Sequence, residues 1–252
     1  DAGEESKNRV RDLRNEFCGY VPRYTPKISS VSGRQAPRRE PCFLVGFVAR
    51  VNPEKNVGLF LSLIRDLLDR GLSTQTDLLG TRFIIVGDGD IMQDMVAMTW
   101  RLSLERYVRF TGWTGSGLID TMRALDVVVN PSLRGWSETF CIANIEAMAA
   151  GIPLVTYAVG GIGEYVAVPS GTDMNASEPF VVGTNALIVN YPTANALADA
   201  VLALIRQPGL RNRLSTKARE TILSYFTLSR QIGQYTTLYR LAIVSSKRQT
   251  TG

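Results

Sequence analysis

Residues 127–157 read VVVNPSLRGWSETFCIANIEAMAAGIPLVTY, and this stretch decides the fold. Its opening run of valines ends at Asn130-Pro131-Ser132, which is typical of a buried strand followed by a loop. Residues 140–150 then carry apolar side chains at helical spacing, and Gly151-Ile152-Pro153 marks a turn before a second apolar run. The stretch therefore predicts strand, loop, helix, turn and strand, the repeating unit of a parallel α/β sheet.

Two acidic residues of this stretch, Glu138 and Glu146, suggest a binding site. They stand eight positions apart, and at about 3.6 residues per turn this spacing returns to nearly the same face of a helix. Carboxylates can accept hydrogen bonds from vicinal hydroxyls, and the N-terminus of the helix beside them suits a phosphate. The pattern favours a nucleotide-sugar pocket, and the alternative is a solvated helix face.

The rest of the chain repeats the same alternation of apolar strands and amphipathic helices. This order predicts an α/β fold with a parallel sheet and helices on both faces. The predicted strands are 43–49, 82–87, 108–111, 126–130, 153–157 and 187–189, and the predicted helices are 56–70, 90–104, 116–124, 140–150, 195–206, 208–225 and 229–245.

The first 41 residues differ in character from the α/β pattern of residues 42–252. A charged helix is predicted over 5–17, and residues 19–41 are rich in Pro, Ser and Arg, as expected of a linker. We therefore divide the chain into 1–41, a charged helix and linker, and 42–252, a ligand-binding α/β domain with C-terminal helices.

Composition excludes several classes of protein. The chain is 45% apolar and carries a net charge of +5, without the repeating basic–aromatic pattern expected of a nucleic-acid-binding protein. No apolar run is long enough to predict a membrane span. Cys18, Cys42 and Cys141 form an odd set without a C-x-x-C motif, which predicts reduced thiols and an intracellular, cytoplasm-facing protein.

The polar and glycine-rich loops all follow predicted strands, and in open α/β sheets ligands bind beyond the carboxyl ends of the strands. Arg50 to Lys55 follows the first strand, Gly87-Asp88-Gly89 the second and Gly112-Trp113 the third. Residues 131–138 and 160–164 follow the next two. All five loops are therefore predicted to face one crevice.

The motifs around Glu138 resemble those of a known family. Pro131-Ser132, the Glu-x7-Glu pair and Glu146-Ala-Met-Ala-x-Gly-x-Pro are similar to the donor-side motif of the group 1 retaining glycosyltransferases. The resemblance implies the C-terminal, Rossmann-like half of a GT-B fold, with the N-terminal acceptor half absent from this chain. It also implies transfer of a hexosyl or related group from a nucleotide-diphosphate donor to an unknown acceptor. No cofactor and no metal are expected.

The resemblance assigns roles to particular residues. Glu138 would bind hydroxyls of the donor sugar, Glu146 the ribose, and Arg50 and Lys55 the diphosphate, where guanidinium and ammonium groups replace a metal ion. Catalysis is assigned to Glu138, Arg50 and Lys55, and the remaining donor contacts to Gly87, Trp113, Thr139, Phe140, Cys141 and Ile142.

Other interpretations remain open at this stage. Thr139 and Cys141 replace two glycines of the family pattern Glu-Gly-Phe-Gly-Leu. A non-catalytic binding or assembly module derived from the same fold is therefore the alternative to an enzyme, and a sugar-nucleotide epimerase fits the motifs less well. Asp88-Gly89-Asp90 contains a D-x-D string, but its place after a strand favours a structural turn over a metal site.

Overall fold

The computed structural model describes residues 2–19, 42–72, 80–132, 138–168 and 177–249. Seven strands form one sheet in the order β3-β2-β1-β4-β5-β7-β6, in which only β6 runs antiparallel to its neighbour. The strands are β1 Leu44–Val48, β2 Arg82–Val86, β3 Val108–Gly112, β4 Val127–Asn130, β5 Leu154–Thr156, β6 Phe180–Val182 and β7 Leu187–Val189. The main helices are α1 Ala2–Cys18, α2 Val57–Leu67, α3 Met92–Arg101, α4 Leu118–Arg123, α5 Ile142–Ala149, α6 Ala194–Arg206, α7 Pro208–Tyr225 and α8 Leu228–Gln249.

The predicted α/β fold is confirmed, including the parallel pairing of the central strands. Residues that alternate along each strand point to opposite faces, so β1 supplies Val45 and Phe47 to one apolar core and Leu44 and Val48 to the other. Both faces are therefore covered by helices, as a buried parallel sheet requires. Strand β6 was not predicted, because its three residues carry too little pattern to be told from a loop.

Helix α1 packs on the sheet domain through one face. The Phe17 side chain is only 2% exposed, and Val10 and Leu13 pack beside the same core. Arg14 donates to the carbonyl oxygens of Ala124 at 2.6 Å and Cys42 at 2.9 Å. The predicted helix and its apolar face are thus present, and residues 20–41 of the expected linker lie outside the described residues.

The cysteine prediction was wrong for one pair. Cys18, at the end of α1, and Cys42, just before β1, form a disulfide with Cα atoms 5.9 Å apart. The two cysteines come together because α1 packs on the sheet domain. They are 24 positions apart in the chain, and no local sequence motif predicts such a contact. Cys141 is free. The argument from reduced thiols for an intracellular location therefore no longer holds.

None of the helices in the described ranges has both the length and the apolar character needed to cross a membrane.

Replacing Cys42 by serine should destabilise the protein by about 3 kcal/mol, because a disulfide across a loop of this length restricts the unfolded chain. The measurement is urea unfolding without reductant. Wild type in dithiothreitol should fall to the stability of the variant, whereas the variant should not respond to dithiothreitol. A wild type that is equally stable with and without reductant would contradict the disulfide.

Candidate functional site

The strand order reverses between β1 and β4, which are neighbours in the sheet although two strands separate them in the chain. The loops that follow these two strands leave the same edge of the sheet, and a ligand crevice is expected between them. The candidate site is therefore built from the residues after Val48 and after Asn130.

The two loops are joined by an ion pair between Lys55 and Glu138. The Lys55 Nζ lies 2.5 Å from a carboxylate oxygen of Glu138, and the side chains are 19% and 4% exposed. Because both charges are largely removed from water, their mutual compensation matters much more than that of a surface pair. This contact fixes the β1 loop against the segment that leads into α5.

Local backbone structure places Lys55 at this point. Pro53–Lys55 forms a short 3-10 helix, and the Asn52 side chain accepts a hydrogen bond from the backbone N–H of Lys55 at 3.2 Å. Asn56 ends this turn in the left-handed conformation, with φ of 54°, and its side-chain amide donates to the Pro131 carbonyl at 3.4 Å. Asn52 and Asn56 were not predicted as site residues, although asparagine is typical at caps and left-handed positions.

Lys55 and Glu138, which the sequence assigned to different parts of a ligand, thus form an ion pair with each other. Lys55 was predicted at the diphosphate and Glu138 at the sugar, and in the structure their side chains pair. Arg50, the third predicted charge, is exposed, and it makes no ion pair with the described residues. Its side chain is therefore accessible from solvent.

Helix α5 begins at the crevice with an open N-terminus. Its N-cap, Cys141, makes no side-chain capping bond, and Ile142 is 68% exposed. The N–H of Asn144 donates to the Cys141 carbonyl at 3.0 Å, which leaves the N–H groups of Ile142 and Ala143 without a partner among the described residues. The helix dipole is positive at this end. Such an end can bind an anion such as a phosphate group.

Cys141 occupies a strained backbone position, with φ of 51° and ψ of 77°. This is the left-handed region that glycine adopts without strain, and the family pattern has glycine here. Burial, followed by the negative charge of Glu138, raises the pKa of the Cys141 thiol to about 11. The thiol is therefore protonated and weakly reactive at neutral pH.

Glu146 lies on the second turn of α5 and is partly buried. Burial raises the pKa of its carboxyl, and the side chain has no hydrogen bond or ion pair to any described residue. Because the folded pKa is raised, the contribution of Glu146 to stability is fully present below the unfolded pKa and is lost as pH rises through the folded value. Burial thus disfavours the charged form of Glu146, and a ligand that donates hydrogen bonds to the carboxylate would offset this cost.

Phe140 and Thr139, which were predicted as donor contacts, contact other parts of the protein in the structure. The Phe140 ring packs at centroid distances of 5.6 Å on Tyr165 and 5.8 Å on Phe226. Thr139 is exposed, and its carbonyl oxygen lies only 1.8 Å from where a Cβ on Gly161 would stand, so this turn requires glycine. The segment that begins α5 is thus locked against the turn after β5.

The loops after β2 and β3 lie on the other side of β1. Gly87 has φ of +127°, and a Cβ there would stand 2.0 Å from the Ala49 carbonyl oxygen, so glycine allows close approach to the β1 strand end. Trp113 is 78% exposed and does not cover the core. Asp88 accepts a hydrogen bond from the N–H of Gly89, and the described ranges contain no cluster of three or more metal-binding side chains. The roles assigned to Gly87 and Trp113 stay predictions.

Lys55→Met should destabilise the protein by ~3–5 kcal/mol, because it leaves the buried carboxylate of Glu138 without a partner. Adding Glu138→Gln should recover at least about 1 kcal/mol of that loss. Urea unfolding of the single and double variants at pH 7 measures both values.

Lys217→Met is the matched control, because Lys217 and Glu220 form an exposed pair on α7 with side chains 51% and 55% exposed. Its loss should be below about 1 kcal/mol. Equal effects of Lys55→Met and Lys217→Met would show that the Lys55–Glu138 pair does not hold the two loops.

Several curated proteins are similar to this chain over about 200 residues. An alpha-D-kanosaminyltransferase from Streptomyces kanamyceticus is 27% identical over 198 residues, covering 78% of this chain and 45% of that protein. A D-inositol 3-phosphate glycosyltransferase from Kribbella flavida is 29% identical over 201 residues, covering 78% and 43%. The chain therefore spans a little under half the length of these relatives.

Solved structures share the fold. A sucrose-phosphate synthase from Thermosynechococcus elongatus superposes with a TM-score of 0.64 at 23% identity, covering 81% of this chain and 46% of that one. Anabaena HepE in complex with UDP superposes with a TM-score of 0.61 at 22% identity, covering 79% of this chain and 49% of that one. The C-terminal domain of LpcC, a glycosyl transferase group 1 family protein from Francisella tularensis, superposes with a TM-score of 0.58 at 18% identity. The match covers 74% of this chain and 87% of that domain.

The sequence profile described as glycosyl transferases group 1 matches residues 33–221, which is most of the 252-residue chain. The mostly parallel sheet agrees with the fold of the solved structures. The chain belongs to the group 1 glycosyltransferase family.

Proposed function

We propose that this chain is the donor-binding part of a retaining glycosyltransferase, which transfers a sugar from a nucleotide-diphosphate sugar to an unknown acceptor without a divalent metal. The observation that carries the proposal is the arrangement at the strand-order reversal. Three features lie there at one crevice: the Lys55–Glu138 pair, the N-terminus of α5 and the carboxylate of Glu146, which has no partner among the described residues. The relatives named as glycosyltransferases support the sugar-transfer class.

The diphosphate is proposed to lie at the N-terminus of α5. The first-turn N–H groups and the helix dipole attract an anion there. Arg50 adds a guanidinium that can bind two phosphate oxygens at once, and Lys55 adds a second cation. These groups supply positive charge where other sites use a metal ion, and they stabilise the charge that develops on the leaving diphosphate.

The ribose is proposed to bind Glu146. Two vicinal hydroxyls can donate to one carboxylate, and such bonds favour its charged form. Nucleotide binding should therefore lower the pKa that burial raises in the free protein. Affinity should fall at acidic pH, as Glu146 of the free protein takes up a proton.

Glu138 is proposed to orient the donor sugar. Its pairing with Lys55 fixes the carboxylate in place, so that its remaining lone pairs can accept from sugar hydroxyls. The bond from the anomeric carbon to the diphosphate breaks, and its electron pair leaves with the phosphate oxygen. The acceptor oxygen forms the new bond on the same face, and its proton passes to the departing diphosphate oxygen. A second domain that closes over the crevice would exclude water from this step.

One observation favours the alternative of a non-catalytic module. Lys55 and Glu138 satisfy each other, and Cys141 takes space that glycine would leave open. Such a module would keep the ion pair for its structural value alone. It would bind a nucleotide sugar without transferring the sugar, or act in assembly without binding one.

Glu146→Ala should weaken nucleotide binding even when no sugar is attached. A lost hydrogen bond to a charged group is worth about 1.5–3 kcal/mol, which corresponds to a roughly 10- to 150-fold higher Kd. Glu138→Gln should weaken binding of the nucleotide sugar more than binding of the nucleotide diphosphate. Calorimetric titration in EDTA with UDP, ADP and GDP, and then with the matching glucose conjugate, measures both effects.

The matched control is Glu220→Ala, which removes an exposed carboxylate on α7 and should leave every affinity unchanged. Equal nucleotide affinity of wild type and Glu146→Ala would overturn the ribose assignment. Binding that appears only when magnesium replaces EDTA would overturn the metal-free proposal. No binding of any of these ligands by wild type would overturn the donor-binding proposal and favour an assembly module.

A further inference from the structure

A chain of buried hydrogen bonds runs behind the α5 N-terminus. Asn130 donates from its amide to the Asn144 side-chain oxygen at 3.1 Å, and Asn144 donates to the Tyr165 hydroxyl at 3.0 Å. The three residues are 7%, 1% and 2% exposed. We call them the Asn–Asn–Tyr chain.

The members of the Asn–Asn–Tyr chain also hold backbone and neighbouring groups. The Asn130 side-chain oxygen accepts from the N–H of Ser132 at 3.0 Å, and its amide also contacts the Cys141 Sγ at 3.1 Å. The ring of Tyr165 packs against Phe140, so the same residue holds the segment that enters α5.

Three segments of the candidate site are therefore tied together. Asn130 ends β4, Asn144 lies in the first turn of α5, and Tyr165 follows the short 3-10 helix Gly160–Glu164 after β5. Of these, the first turn of α5 is the proposed diphosphate site, and it adjoins the strained Cys141. Fixing this turn from behind fixes the direction in which its N–H groups point.

The Asn–Asn–Tyr chain is not readily explained by its contribution to the stability of the fold. Buried polar side chains contribute little net stability when they are paired, and replacing all of them by apolar groups of similar shape is often nearly neutral. Paired polar groups do, however, fix one relative geometry more sharply than apolar contacts, which can slide. The Asn–Asn–Tyr chain therefore fits a positional role.

We propose that Asn144 and Tyr165 are positioning residues, which set the first turn of α5 for the donor diphosphate without touching the ligand. The inference rests on the proposed function, since the diphosphate is assigned to that turn. It adds a specific requirement: the bond between the two side chains must be intact for full affinity.

The test compares Tyr165→Phe with Tyr157→Phe. Tyr157 follows β5 and is a second buried tyrosine, 4% exposed, but its hydroxyl has no hydrogen-bond partner among the described residues. Tyr165→Phe keeps the ring packing and removes only the hydrogen bond. We expect its Kd for UDP, or for the tighter-binding nucleotide diphosphate of the panel, to rise about 5- to 10-fold, and that of Tyr157→Phe to stay at the wild-type value.

A double variant separates position from stability. Asn144→Leu leaves the Tyr165 hydroxyl unpaired, and adding Tyr165→Phe removes that unpaired group, so the melting temperature should recover toward wild type. Affinity should stay low, because neither variant restores the bond. Recovery of affinity together with the melting temperature would show a merely structural role and overturn the proposal.

The inference can also be tested without any nucleotide. Under non-reducing conditions Cys141 is the free thiol, and Asn130 contacts its sulfur. Iodoacetamide should alkylate Cys141 at least about 3-fold faster in Tyr165→Phe than in wild type or Tyr157→Phe, since the first turn is less tightly held. Equal alkylation rates would overturn the proposal. Faster alkylation without nucleotide binding by wild type would instead count against the proposed function alone.

Discussion

The buried ion pair between Lys55 and Glu138 is the interaction on which the rest of the site depends. A parallel sheet whose strand order reverses leaves a gap between the loops of its two central strands. Here that gap is bridged by two opposite charges 2.5 Å apart, with the Glu138 side chain only 4% exposed. Loss of either charge would leave the other buried without a partner, so the pair ties the β1 loop to the entry to α5.

Close backbone contacts and buried polar bonds extend this connection to a third loop. The N–H of Gly161 donates to the Glu138 carbonyl at 3.3 Å, and Tyr165 binds Asn144 from the same turn. The result is an α5 N-terminus whose position is fixed from several directions while its outer side, at Ile142, stays exposed. A rigid, open helix end beside a partly buried carboxylate is well suited to a charged ligand with vicinal hydroxyls.

Much of the fold follows from local pattern. Runs such as Phe83 to Val86 must be buried on both faces, and they alternate with amphipathic helices, so the parallel sheet was predictable. The strand–loop–helix pattern placed Glu138 before α5 and Glu146 within it, although helical spacing does not apply to Glu138, which lies outside the helix. What local pattern cannot give is pairing over long distances: the Cys18–Cys42 disulfide and the Lys55–Glu138 contact arise only when separate elements pack together. Asn130 and Asn144 are polar residues next to apolar runs, and this pattern is only a weak indication of buried hydrogen bonds.

A crystal structure of this chain with a bound nucleotide diphosphate tests the central claim most directly. The account predicts phosphate oxygens within hydrogen-bond distance of the first-turn N–H groups of α5 and ribose hydroxyls on the Glu146 carboxylate. It also predicts that the Lys55–Glu138 contact persists, so that the loops keep their relative position. A nucleotide bound elsewhere, for example in the groove between Trp100 and Glu16, or a Glu146 side chain that makes no ligand contact, would contradict it.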